Sequence, residues 1–115
     1  MRIGEVAGQS GVSVRSLRYY EEQGLLRSSR SESGQRLYAP GAVERVILIQ
    51  RLYAAGLSSR TIAELLPCIE APVEKYTPLV LNRLGQERDR IDAQITELRQ
   101  TRDKLEHVML AAAPA

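Results

Sequence analysis

The chain of 115 residues contains no phenylalanine and no tryptophan, and its five tyrosines are its only aromatic residues. That excludes a large aromatic core or an aromatic ligand cage. A single cysteine excludes an internal disulfide framework and makes a cytoplasmic protein the expectation. No apolar run approaches the roughly 18 residues of a membrane span. The opening MRIGEVAGQSGV has no apolar signal core. Lysine is missing from residues 1–66, where nine arginines face six acids for a balance of +3; residues 67–115 balance at −1. The rigid fork of arginine suits phosphate and guanine. A basic front and a near-neutral back point to a nucleic-acid face and a separate oligomerisation element. No paired carboxylates, nucleophile–base set or phosphate loop is present, so no enzyme is expected. The length allows one small domain, or one domain with an extended element.

What the chain does have is a phrase written twice. Residues 11–17 read GVSVRSL and residues 56–62 read GLSSRTI. Each is a helix start. Ser13 and Ser58 fit N-caps. Val12 with Leu17, and Leu57 with Ile62, have the spacing of a hydrophobic staple. Each copy puts an arginine in the first turn, Arg15 and Arg60. A cation there opposes the helix dipole, unless a polyanion lies in front of the helix. Solvated surface arginines are the other reading.

Ile3, Val6 and Ala7 share a face of a first short helix, which Gln9-Ser10-Gly11 breaks. The second helix, from Ser13, stops at Gly24, with Leu25 folding back on Tyr20. Two short helices around a tight turn make a helix-turn-helix. In LLRSSRSESGQRLY, Leu25-Leu26 and Leu37-Tyr38 flank a polar loop with Gly34, as in a small two-stranded wing. Pro40 opens a third helix at its first position, with Val43, Val46, Ile47, Gln50 and Tyr53/Ala54 inward. Gly56 ends it, and a fourth helix runs to a stop before Pro67.

PCIEAPVEKYTP is a joint. Beyond it Leu79 to Leu110 contains no proline. Leu84, Ile91, Leu98 and Leu105 fall on d positions, and Leu81, Arg88, Ile95, Arg102 and Met109 on a positions, of a heptad seam. Its 32 residues make a rod of about 48 Å. Its narrow apolar stripe calls for a partner helix, and a symmetric homodimer is the economical answer; folding back on the first helices is the other. Arg88 and Arg102 suit antiparallel pairing, each meeting an acid of the other chain. The partition expected is a DNA-binding domain over 1–70, a linker over 71–78, a dimerisation helix over 79–110 and a tail over 111–115.

On the second helix, VRSLRYYEEQG buries Leu17 and Tyr20 and leaves Arg15, Ser16, Arg18 and Tyr19 outward, the layout of a recognition helix. GEVAGQSGVSVRSLRYYEEQGLL, SESGQRLY and GLSSRTIAELL together resemble the MerR family of bacterial transcription regulators, over residues 1 to about 66. The resemblance implies a mainly α fold: a winged helix-turn-helix with a second helical wing, and a long C-terminal helix forming an antiparallel coiled-coil dimer. It implies a dimer that binds a pseudo-palindromic promoter and bends and untwists it for RNA polymerase. Carried over residue by residue, Arg15, Arg18 and Tyr19 take major-groove contacts, and Tyr20 divides between core and phosphate. Arg36 and Tyr38 belong to the first wing, Ser59 and Arg60 to the second. Gln35 stands where the family often has tyrosine, and Ala39 where a serine cap is common. The alternative is a coiled-coil interaction adaptor without sequence-specific DNA binding.

The family's metal sensors use two or more cysteines. Cys68 and the distant His107 cannot complete a metal site within one chain, and no cofactor is expected. Cys68 reads first as inert, then as a redox or electrophile sensor, then as a shared metal ligand. Only AAAPA follows the rod, so no separate effector domain is expected. Any small-molecule effector falls between lobe and rod, near Tyr53, Leu66, Cys68, Ile69 and Tyr76; the absence of an effector is the equal alternative.

Overall fold

The computed structural model describes residues 1–70 and 77–114, in two compact units, Met1–Val73 and Glu74–Ala115. The first carries α1 (Ile3–Ser10), α2 (Val14–Glu22), β1 (Ser29–Arg30), β2 (Arg36–Leu37), α3 (Ala42–Ala54) and α4 (Ser59–Glu70); the second is α5 (Thr77–Ala112).

Both copies of the phrase start helices as their residues predict. The Ser16 N–H donates to Ser13 Oγ at 3.1 Å, and the Thr61 N–H to Ser58 Oγ at 3.2 Å. Val12 and Leu57 are buried at the turns, and Leu17 and Ile62 are fully buried one turn inside. The glycines close the preceding helices in the left-handed region, Gly11 at φ 76° and Gly56 at φ 84°. At Gly56 the closure is a full Schellman pair. Its N–H donates to the Tyr53 carbonyl at 2.9 Å, and the Leu57 N–H to the Leu52 carbonyl at 3.2 Å. So glycine, aliphatic and serine in succession end one helix, anchor the turn and begin the next. Gly24 closes α2 in the same way: its N–H reaches the Glu21 carbonyl at 3.0 Å, and the Leu25 N–H the Tyr20 carbonyl at 2.9 Å.

α1 packs on α2 and α3, and α3 on α4. The core is aliphatic: Val6, Leu17, Leu25, Val46, Ile49, Ile62 and Leu66 are fully buried. Each such side chain contributes roughly 1.5–3 kcal/mol.

Four expectations need correction. α3 begins at Ala42; Pro40 belongs to a preceding turn in which the Ala42 N–H donates to the Ala39 carbonyl at 3.0 Å. Gly41 precedes the helix with no side-chain cap. The buried stripe of α3 is Ala42, Val46, Ile49 and Leu52, while Gln50 and Ala54 are exposed. α3 is covered by α1 and by α4, which moves its centre of burial off the predicted line. The first wing strand is Ser29–Arg30, paired through Ser29 with Leu37 and Arg30 with Arg36; Leu25 and Leu26 are drawn into the core instead. Finally, α4 does not stop before Pro67 but runs through it to Glu70. Proline removes one helical hydrogen bond. The helix holds because Leu65 and Leu66 are buried and Glu70 is clamped beyond. Arg45 donates to both Glu70 carboxylate oxygens, at 2.6 and 2.5 Å, and through Nε to the Leu25 carbonyl at 2.6 Å.

α5 has no buried residue. Its 36 residues span about 54 Å. Leu81, Ile91, Ile95, Leu98, Leu105 and Met109 are all exposed, Leu98 at 68%; Leu84 is half-exposed. Arg88 pairs with Asp89 at 3.3 Å, and Arg102 with Asp103 at 4.0 Å and Glu106 at 3.9 Å. Within one chain the seam arginines therefore lean on acids of their own helix. Residues 71–76, most of the expected linker, lie outside the described residues.

Replacing either capping serine, Ser13→Ala or Ser58→Ala, is expected to lower stability by about 1 kcal/mol. Ile62→Ala is expected to cost about 2–5 kcal/mol. Urea unfolding followed by circular dichroism measures both; equal effects for the caps and Ile62 would contradict the staple.

Candidate nucleic-acid interface

The outward face of α2 is set by what the helix buries. Leu17 and Tyr20 turn into the lobe, which leaves Arg15 and Arg18 exposed, Ser16 half-exposed and Tyr19 45% exposed. Arg15, Arg18, Tyr19 and Glu22 line a shallow depression of about 360 Å³. Neither Arg15 nor Arg18 has an ion-pair partner among the described residues.

The second copy of the phrase lies beside this face. The Tyr19 hydroxyl is 3.4 Å from Ser59 Oγ, and the Tyr53 hydroxyl bonds the same oxygen. Tyr53 also stacks on Tyr20, ring centres 5.7 Å apart and planes 22° from parallel. Consecutive tyrosines of α2 thus reach the start of α4 by two routes, one through Ser59 and one through Tyr53. Arg60 follows Ser59, its side chain 91% exposed and its Nε 3.6 Å from Glu64. Tyr20 is buried, and burial first and the neighbouring Tyr53 second push its phenol pKa up.

The wing is fastened to α2 through Glu21. The buried Tyr38 donates its hydroxyl to the Glu21 carboxylate, and Arg36 Nε lies 3.3 Å from the other oxygen. Burial, then the hydrogen bond and charge of Glu21, push the Tyr38 phenol up to about 12. Arg36 is half-buried. Of the two wing residues, Tyr38 is held inside by α2, and only Arg36 keeps a partly open guanidinium.

A second depression, of about 540 Å³, lies between α1, α2 and the wing, lined by Arg2, Arg18, Arg30, Arg36, Gln35 and Glu5 among others. The sequence reading passed over Arg2 and Arg30. Arg2 reaches the wing through a bridge to Leu37, a contact across 35 positions that no local pattern announces. Arg30 was legible only as one of two arginines flanking the Gly34 turn.

The residues expected around an effector do not share one surface within the lobe. Tyr53 faces Tyr20 and Ser59 near the start of α4. Leu66 is in the core, and Cys68 and Ile69 are half-buried at the far end of α4. Tyr76 lies outside the described residues. A cavity of about 500 Å³ opens near that far end; of the described members of the group only Leu66 lines it. Cys68 is a free thiol. Among the described residues no three His, Cys, Asp or Glu side chains are grouped to hold a metal. No helix among them is long and apolar enough to cross a membrane.

The profile of a family described as MerR HTH family regulatory protein matches residues 1–68, and one described as MerR, DNA binding, matches residues 43–108. The chain belongs to the MerR family. It is 35% identical over 108 residues to the nodulation protein NolA of Bradyrhizobium sp. (strain NC92), covering 93% of this chain and 42% of that protein; the chain therefore spans under half the length of that relative. The lead(II) complex of the transcription regulator PbrR691 from Ralstonia metallidurans CH34 matches at a TM-score of 0.84 and 28% identity, over 100% of this chain and 89% of that one. HiNmlR, a MerR family regulator lacking the sensor domain and bound to promoter DNA, matches at a TM-score of 0.60 and 25% identity, over 95% and 86% of the two chains. The mainly helical, winged helix-turn-helix fold with a long C-terminal helix is thus the MerR fold, as its sequence implied.

Because the folded Tyr38 phenol titrates above the ordinary 10, its contribution to stability is complete below about pH 10 and is lost as pH rises toward about 12. The stability difference between wild type and Tyr38→Phe, measured by urea unfolding, is expected to be constant from neutral pH to about pH 9.5 and to narrow above pH 10.

Proposed function

We propose that this MerR-family protein is a DNA-binding transcription regulator that works as a homodimer in the cytoplasm. The observation that carries the reading is the Tyr19–Ser59 contact. It sets the free arginines of α2 beside the start of α4, so one surface offers a helix for base edges and a second helix start for phosphates. In this reading Arg15, Ser16, Arg18 and Tyr19 enter the major groove, with Arg36, Ser59 and Arg60 on the backbone. Tyr20 and Tyr38 hold α2 in position from behind.

One such surface reads a half-site. The exposed seam of α5 supplies the second by pairing with its copy, antiparallel in the proposed arrangement, so that Leu81, Leu84, Ile91, Ile95, Leu98, Leu105 and Met109 are covered. Two lobes held at a fixed spacing read a pseudo-palindrome. They bend and untwist the duplex between them at a cost of a few kcal/mol, offset by phosphate contacts. RNA polymerase then engages a promoter whose elements the distortion has realigned. The structural likeness to HiNmlR, which was solved on promoter DNA, supports this use of the fold.

Footprinting on the chain's own upstream region is expected to show protection across a pseudo-palindrome. Arg18→Ala should weaken operator binding by about 1–3 kcal/mol and relax discrimination against a scrambled duplex. Undiminished discrimination would remove α2 as the reading helix, and no preference in the wild type would favour a protein-interaction adaptor. Separately, Ile95→Asp is expected to give monomers in analytical ultracentrifugation and to abolish operator binding, with the lobe's circular dichroism retained.

A further inference from the structure

The cavity of about 500 Å³ near the far end of α4 takes no part in the DNA-binding reading. It is a gap left by small residues where several segments meet: Gly24 after α2, Ala39 after the wing, Gly41 and Ala42 at the start of α3, and Ala63 on α4. None of these carries a side chain long enough to cross it. A Cβ placed on Gly24 or Gly41 would meet nothing beyond its chain neighbours within 4 Å. Leu26, Ala42 and Leu66 give the cavity a buried apolar floor, and Ala39, Ala63 and Pro67 an exposed apolar rim. Its volume falls in the range of small-molecule sites, roughly 300–1,000 Å³.

The charges at this cavity do not balance. Two arginines and one glutamate line it, Arg27, Arg45 and Glu70, for a sum of +1. Glu70 is already held by Arg45 Nη1, while Arg45 Nε donates to the Leu25 carbonyl. The Nη2 of Arg45 has no hydrogen-bond partner among the described residues. Arg27 is exposed and has no ion pair among them. Two guanidiniums beside an apolar floor therefore keep donors for one further carboxylate. A guanidinium fork matches the two oxygens of a carboxylate, a geometry that an alcohol or an ammonium does not offer.

We infer that this cavity binds a small organic monocarboxylate, its hydrocarbon body on Leu26, Ala42 and Leu66 and its carboxylate at Arg27 and the open edge of Arg45. The cavity shares no lining residue with the depressions at Arg15 and Arg18, and the inference stands whether or not the chain binds DNA. Its position is that of an effector site. Arg45 ties the turn after α2, through Leu25, to the end of α4, through Glu70, and the ligand meets that tie.

The full chain is titrated by isothermal titration calorimetry with octanoate and benzoate, and with the alcohol and ammonium counterparts of each. At least one carboxylate is expected to bind, one per chain, with a dissociation constant of about a millimolar or below. Its alcohol should bind about tenfold weaker or less, and its ammonium counterpart not at all. Gly41→Leu, at a φ of −82° that a side chain tolerates, and Ala63→Leu fill the cavity from two elements. Each is expected to abolish carboxylate binding with the circular dichroism spectrum kept. Arg27→Ala should weaken the carboxylate about tenfold and leave the alcohol unchanged; at an exposed position, it decides the matter if neither filling variant folds. No saturable binding of either carboxylate overturns the inference. So does an alcohol that binds as tightly as its carboxylate, or carboxylate binding that survives both filling variants. Filling variants that turn dimers into monomers in analytical ultracentrifugation, with no carboxylate bound by the wild type, assign the cavity to a second copy of the chain and overturn the ligand.

Discussion

Val12 and Leu57 each hold two helices at once. Buried behind a left-handed glycine and ahead of a capping serine, each pins the end of one helix and the start of the next to the same core. The constraint is geometric. The turn is too short to relax, so the direction of the second helix follows from that of the first. Because the chain uses the device twice, α2 and α4 are both launched from buried turns, and the arginine that follows each cap is carried to the surface.

What joins the two launches is a set of hydroxyls and rings. Ser59 receives Tyr19 from α2 and Tyr53 from α3, and Tyr53 returns to α2 by stacking on Tyr20. A chain without phenylalanine or tryptophan has used its few tyrosines where an aromatic ring must both fill space and hold a polar group. Tyr38 repeats this on the other side of α2, where the wing is tied to Glu21. α2 is thus braced at both flanks, while Arg15 and Arg18 stay exposed on the remaining face. A rigid scaffold beneath uncommitted charge keeps the ordering cost of binding low.

The long helix presents a different physical situation. The first unit is self-sufficient, with an aliphatic core closed by α1, α3 and α4. α5 is a single helix with a regular apolar row in water and no buried residue. Ion pairs along it, such as Glu87 with Arg90 at 2.8 Å, add a few tenths of a kcal/mol each. They do not replace the burial that a row of leucines and isoleucines would gain from a second helix.

By itself, the sequence determined the local events: both serine caps, the burial of both staple pairs, the glycine closures, the heptad pattern of the rod, and the outward placing of Arg15 and Arg18; the rod itself is longer than its expected 79–110, running from Thr77 to Ala112. Each depends on residues within one or two turns of one another. Only the tertiary structure decided that α4 passes through Pro67, because Arg45, twenty-five positions away, grips Glu70 beyond it. It decided likewise that Leu25 and Leu26 join the core and leave the wing to Ser29 and Arg30. The gathering of Arg2 with Arg18, Arg30 and Arg36 belongs to the same class. It depends on a bridge from the first residues to Leu37, and pairing between distant backbone segments leaves no periodicity to read.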